Sequence, residues 1–71
     1  ELTQAVVLEN TLVVADYQGY LHLINPEKGT LIGRKSFDQD GISATPQVNN
    51  NRLLVHSNRG RLGLFTLKPK D

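Results

Sequence analysis

The chain repeats itself: residues 10–25 return as residues 51–66, 41 positions later and without a gap. Two of the sixteen pairs, Val13/Leu54 and Ile24/Phe65, exchange one apolar side chain for another. Six pairs are identical, namely Asn10/Asn51, Leu12/Leu53, Val14/Val55, Gly19/Gly60, Leu21/Leu62 and Leu23/Leu64. A period near 40 residues with strand-like content is typical of β-propeller blades. Because one blade cannot bury both of its faces, the repeat predicts that the chain is part of a larger ring.

Composition excludes several classes of function. The 71 residues include no cysteine and two histidines, so we expect neither disulfides nor a zinc site of Cys and His ligands. A net charge of +1, with two Tyr, two Phe and no Trp, lacks the basic and aromatic surface of nucleic-acid-binding domains, and no nucleic-acid partner is expected. The longest apolar runs span four residues, far short of the ~20 that cross a bilayer, and no signal peptide is visible.

The spacing of turn residues indicates an all-β fold of two antiparallel blades. Gly, Pro and Asn clusters interrupt the chain every 8–12 residues. Asp16 and Gly19 predict a hairpin, in which the Asp side chain accepts from backbone amides and Gly supplies positive φ. Pro26 and Gly29 predict a further turn. We predict strands at 5–8, 12–15, 20–24 and 30–37 in the first unit, and at 44–48, 52–57 and 61–67 in the second.

The two units differ in length. Residues 1–41 predict a complete four-stranded blade, and residues 42–71 predict a last blade that lacks its outer strand. Pro69 ends strand pairing, so 68–71 reads as a tail. A missing outer strand is typical of propellers that close with a strand from the other terminus. We therefore expect a fragment of a longer protein that, in isolation, associates with itself or with the missing blades.

The first hairpin and the strand after it carry a family resemblance. Asp16, Gly19, Leu21, Asn25 and Gly29 resemble the pyrroloquinoline-quinone-type propeller repeat, although the tryptophan that this family places near position 33 is absent. Residues 13–25 resemble the penultimate blade, and residues 43–46 and 53–55 the last blade, of the lipoprotein propellers of the outer-membrane β-barrel assembly machinery.

That resemblance implies an eight-bladed propeller on the periplasmic face of the outer membrane of a Gram-negative bacterium. It would be a non-enzymatic scaffold without a cofactor, held to the membrane by a lipid anchor outside these residues. It would bind the periplasmic domains of the barrel-assembling subunit and promote folding and insertion of outer-membrane proteins. Two alternatives stay open: a fragment of a quinone-dependent dehydrogenase, which needs a calcium site and a tryptophan, and a generic protein-binding propeller.

Two pairs of side chains are candidate partner contacts because they flank the hairpins that end at a propeller rim. They are Tyr17 and Tyr20 at the first hairpin, and Arg59 and Arg61 at the second. We expect one tyrosine to stack on the blade edge and the other to be exposed. Aromatic and arginine side chains are enriched at the energetic centres of interfaces.

For the polar residues, a structural role is better supported by the sequence than a catalytic one. Asp16 with His22 or His56 could suggest acid–base chemistry, but a turn aspartate and histidines unmatched in the repeat are more often structural. Asp38 and Asp40 lack the spacing of a calcium loop, so we expect a solvated crossover between blades. Residues 60–63 lack the ending of a phosphate-binding loop. No catalytic, cofactor-binding or metal-binding residue is therefore predicted.

Overall fold

A computed structural model describes residues 2–67, whose seven strands form two antiparallel sheets. The first sheet contains, in sequential order, β1 (Val6–Leu8), β2 (Thr11–Ala15), β3 (Tyr20–Ile24) and β4 (Leu31–Ser36). The second contains β5 (Gln47–Asn49), β6 (Arg52–His56) and β7 (Leu62–Phe65). The all-β prediction, with four strands followed by three, is confirmed. The predicted tail with Pro69 lies outside the described residues.

Strand positions follow the prediction closely except at the start of the second sheet. That strand was predicted at 44–48, but β5 begins at Gln47, directly after Pro46, which has no amide hydrogen to donate to a ladder. Asn49 pairs with Arg52, so β5 extends to Asn49 and residues 50 and 51 form the turn.

The first hairpin of each sheet turns on two residues in the left-handed region. Glu9 and Asn10 have φ of 49° and 66°, and their repeat equivalents Asn50 and Asn51 have φ of 54° and 60°. Two-residue loops of this conformation match the right-handed twist of the flanking strands. Asn tolerates positive φ, which explains its use at three of the four positions.

Alternation along β2 and β3 gives the first sheet two apolar faces. Val13 lies opposite Leu23 and Ala15 opposite Leu21, all on the face toward the second sheet. Val14 lies opposite His22 on the other face. A bulge in β4 then leaves residue 32 without an opposite partner.

The core lies between the two sheets. It comprises Leu8, Val13, Ala15, Leu21, Ile42, Leu53 and Val55, with Val6, Leu23, Phe37, Phe65 and Leu67 packed around it. The rings of Phe37 and Phe65 meet edge to face at 5.6 Å between centroids. Within β2, Val13, Val14 and Ala15 are buried, while Leu12 is half-buried. The part of the chain described contains no helix long and apolar enough to cross a membrane.

Candidate functional site

Three chain segments meet at one end of the two sheets and form what we call the rim: the β2–β3 turn (16–20), the crossover (38–42) and the β6–β7 turn (57–61). Backbone hydrogen bonds tie them together, because the Ile42 amide donates to Asp16 O and the Asn58 amide donates to Gly41 O. Gly19 packs so closely on the Asp38 carbonyl that no side chain would fit there. The crossover is therefore the structural link between the hairpins of the two sheets.

Asp16 organises the first turn of the rim. Its Oδ1 accepts from the amides of Gln18 at 2.9 Å and Tyr20 at 3.0 Å. Its Oδ2 lies 2.7 Å from His22 Nε2. Burial raises the pKa of Asp16, but hydrogen bonds from the Tyr20 amide and the His22 ring outweigh it, and the pKa lies below 3.8. The predicted capping role is confirmed, and the carboxylate is engaged on both oxygens.

Ser57 is the repeat equivalent of Asp16, and its hydroxyl accepts a hydrogen bond from the backbone of the second turn. Its Oγ accepts from the Arg61 amide at 3.1 Å, as Asp16 accepts from Tyr20. The same hydroxyl donates to Asp38 Oδ2 at 2.8 Å. Ser57 thus joins the second hairpin to the crossover.

The expectation that the crossover aspartates are solvated is wrong for Asp38. This residue is 6% exposed, because it lies between the two turns of the rim. The Asp40 amide and the Ser57 hydroxyl donate to its carboxylate and lower its pKa, although burial opposes them. Asp40 itself is exposed, as expected. The sequence held no local signal for this burial, since the hydroxyl partner is 19 residues away.

The two candidate tyrosines occupy different surroundings. Tyr17 is 60% exposed and borders a depression lined also by Leu2, Thr3, Ile42 and Ser43. Tyr20 is half-buried, with the Arg34 guanidinium 5.3 Å from its ring centroid. This agrees with the expectation of one exposed and one stacked ring. Tyr17 is consequently the one free to meet a partner at the rim.

Both candidate arginines are exposed, but they make different contacts. Arg61 donates from Nη1 to the Phe37 carbonyl at 3.1 Å and covers the Phe37 ring at 5.0 Å, so it is a contact between sheets. Arg59 is 69% exposed at its side chain and lies 3.5 Å from Asp40 Oδ2. Both arginines border a depression with Asp38 and Gly60, separate from the one beside Tyr17.

The side chains of the rim are suited to hydrogen bonding and to stacking against another protein surface. The Asp16–His22 pair is half-buried and its carboxylate is already used by two amides, which favours the structural interpretation. Among residues 2–67 no group of three or more His, Cys, Asp or Glu is placed to hold a metal ion.

Comparison with known proteins identifies relatives among outer membrane protein assembly factors. The chain is 44% identical over 72 residues to the outer membrane protein assembly factor BamB of Marinobacter adhaerens, a match that covers all of the chain and 18% of the relative. It is 36% identical to BamB of Shewanella oneidensis and of Escherichia coli K12, over 93% and 92% of the chain and 17% of each relative. No protein-family model matches. The chain thus spans less than a fifth of the length of the curated relatives it matches, and their names describe an assembly factor, not an enzyme.

Proposed function

We propose that this chain, which is homologous to BamB over nearly its whole length, supplies two neighbouring blades of an eight-bladed propeller that acts as a non-enzymatic scaffold in outer-membrane protein assembly. The observation that carries this proposal is the 44% identity across the entire chain to an outer membrane protein assembly factor. Residues 1–41 would form the penultimate blade, and residues 42–71 the last.

The packing of the two sheets supports adjacent blades. Each sheet is an antiparallel meander, and the two are stacked over one apolar core. Equivalent residues of the repeat occupy equivalent turns, as with Asp16 and Ser57 or Gly19 and Gly60. Stacking of like units around a shared core is the way repeat proteins bury their faces.

We further propose that the parent protein binds the periplasmic domains of the barrel-assembling subunit, at the periplasmic face of the outer membrane, with a lipid anchor outside these residues. Tyr17 and Arg59 are the leading candidate contacts in this chain, with Tyr17 60% exposed and Arg59 69% exposed at its side chain. Tyr20 and Arg61 would hold the same surface in place, because the Tyr20 ring packs against Arg34 and the Arg61 guanidinium packs on the Phe37 ring.

A chimera tests the proposal. The corresponding segment of the Escherichia coli relative is replaced by residues 1–71, and the chimera is expressed in cells that lack their own copy. We expect folded outer-membrane β-barrel proteins to recover toward the level given by the unaltered relative. As a matched control, the chimera with Leu53→Asp should fail, because Leu53 is 2% exposed in the core.

The result is interpretable only with the amount and location of the chimera measured in the same cells. A chimera that accumulates at the outer membrane, is resistant to protease and yet restores nothing would contradict the proposal. Quinone-dependent oxidation of alcohols or glucose by the purified parent protein would instead support the dehydrogenase alternative.

A further inference from the structure

The outer edge of the first sheet is a row of backbone groups that no strand within residues 2–67 pairs with. β4 is the last strand of that sheet, with β3 on one side and no strand on the other. Five of its six residues are exposed, and only Gly33 is half-buried. A sheet edge of this kind is able to receive a further strand from another chain.

The register between β3 and β4 shows which backbone groups face this edge. The Phe37 amide donates to Gly19 O at 2.8 Å, which continues the register that places Tyr20 opposite Ser36. Gly19 and Phe37 are thus a hydrogen-bonded pair, and such pairs alternate with non-hydrogen-bonded ones along an antiparallel ladder. The amides and carbonyls of Ser36 and Arg34 consequently point away from β3, toward the free edge.

The bulge in β4 limits the part of the edge that is regular. Residue 32 has no opposite partner, so the ladder is interrupted there. Bulges and charged side chains are the means by which natural sheets prevent indiscriminate pairing at an edge. Residues 33–36 lie on the regular side of the bulge, where Arg34 and Ser36 each present one amide donor and one carbonyl acceptor.

The side chains of this regular stretch give the edge a positive charge. Arg34 and Lys35 are both exposed, and neither takes part in an ion pair within residues 2–67. Aromatic rings hold them instead, with the Arg34 guanidinium 5.3 Å from the Tyr20 ring centroid and the Lys35 ammonium 5.9 Å from that of Phe65. Because successive residues of a strand point to opposite faces, the edge carries one unpaired cation on each face of the sheet.

We infer that the outer edge of β4 binds an extended, acidic segment of a partner protein, which adds to the first sheet as a fifth strand. The backbone of Arg34 and Ser36 supplies the hydrogen bonds. Carboxylates on the two faces of the added segment meet Arg34 and Lys35. A second copy of β4 is disfavoured as the occupant, because like charges would then face one another across the ladder.

This edge is a different surface from the rim that carries Tyr17 and Arg59. It stays accessible in the propeller proposed above, because neighbouring blades stack on the faces of a blade and leave its outer strand at the perimeter. The inference rests on the proposed function for this point alone. The hydrogen-bonding groups and the charges belong to the sheet itself.

A substitution that removes one amide tests the backbone pairing. The probe is a short capped peptide of threonine and valine with a central pair of glutamates, titrated into the purified full-length parent protein. Ser36→Pro deletes an amide that points away from β3, so the internal ladder keeps its bonds. We expect Ser36→Pro to weaken peptide binding by about tenfold or more, through the lost hydrogen bond and the bulk of the ring at the edge. Ser36→Ala keeps the amide and is the matched control, which should bind as the unaltered protein does.

A charge reversal and an exchange measurement test the inference without proline. A peptide with lysines in place of the glutamates should bind the unaltered protein about tenfold more weakly or worse. The double variant Arg34→Glu, Lys35→Glu should reverse that preference. Amide hydrogen exchange in the unaltered protein should slow at Arg34 and Ser36 when the glutamate peptide is added. The Phe37 amide is already bonded to Gly19 O and should be unchanged.

The results that would overturn the inference are distinct from those of the chimera experiment. Binding that is equal in Ser36→Pro and Ser36→Ala, or exchange at Arg34 and Ser36 that the peptide does not slow, would exclude strand addition. No binding of the glutamate peptide at millimolar concentration would exclude it as well. Self-association of the parent protein that Ser36→Pro abolishes would assign the edge to a second copy instead. The chimera is judged by the recovery of outer-membrane proteins, so either proposal is able to fail while the other stands.

Discussion

Gly63 lies directly against the ring of Phe37, at the position where the first sheet carries His22. A Cβ atom on Gly63 would lie 2.5 Å from Phe37 Cε1 and 2.8 Å from Cζ. The absence of a side chain at Gly63 therefore leaves room for the Phe37 ring to pack on the second sheet, where it contacts Phe65 edge to face. The break in the repeat at this position has a packing reason.

Gly63→Ala should consequently destabilise the fold. The Phe37 ring would have to shift away from Phe65, and overpacking of this kind costs about 1–3 kcal/mol. Urea unfolding at a fixed protein concentration measures the change. Gly33→Ala is the matched control, because a Cβ there meets nothing within 4 Å. Equal effects of the two substitutions would show that the Phe37 contact is not the cause.

Much of this fold follows from local sequence signals, and the exceptions share one property. Strands and turns are predictable because Asn, Gly and Asp mark the hairpins and because the repeat shows which positions are equivalent. The burial of Asp38 and the contact of Gly63 with Phe37 depend on residues 19 or more positions away across the two sheets. The local sequence of the crossover, which is polar and ends in a glycine, is the same for a buried segment as for a solvated loop. The sequence predicts that one of Tyr17 and Tyr20 is exposed, but not which of them, and it makes no such prediction for Arg59. The role of these residues in binding stays a prediction.

Acid should destabilise the fold through Asp38 and Asp16. Both carboxyls have a pKa below 3.8 in the folded chain, so each contributes stability above that value which is lost as the pH falls through the folded pKa. Thermal melting from neutral pH to below pH 3.8 measures this. Ser57→Ala removes one donor to Asp38, so it should lower stability at neutral pH and reduce the further loss in acid. An unchanged acid dependence in Ser57→Ala would argue against this hydrogen bond as a cause.

Replacement of Asp16 by serine should destabilise the fold less than replacement by alanine, because serine is the residue at the equivalent position of the repeat. Asp16→Ser installs the residue found at the equivalent position 57, whose hydroxyl accepts from the amide four residues on. Asp16→Ala leaves the amides of Gln18 and Tyr20 without their acceptor and should lose about 0.5–1.5 kcal/mol for each bond. The free energy of unfolding of the two variants is the comparison to make. A serine variant no more stable than the alanine variant would refute the equivalence of the two turns.

Partner binding is expected to depend on the exposed residues of the rim more than on the packed ones. In the full-length parent protein, Tyr17→Ala and Arg59→Ala should each weaken binding of the barrel-assembling subunit's periplasmic domains by about tenfold, since truncation of an interface anchor costs ~1–2 kcal/mol. Titration calorimetry measures the dissociation constant. Gln39→Ala, also exposed at the rim, is the control and should bind normally. Unaltered affinity in both variants would remove these residues from the proposed interface.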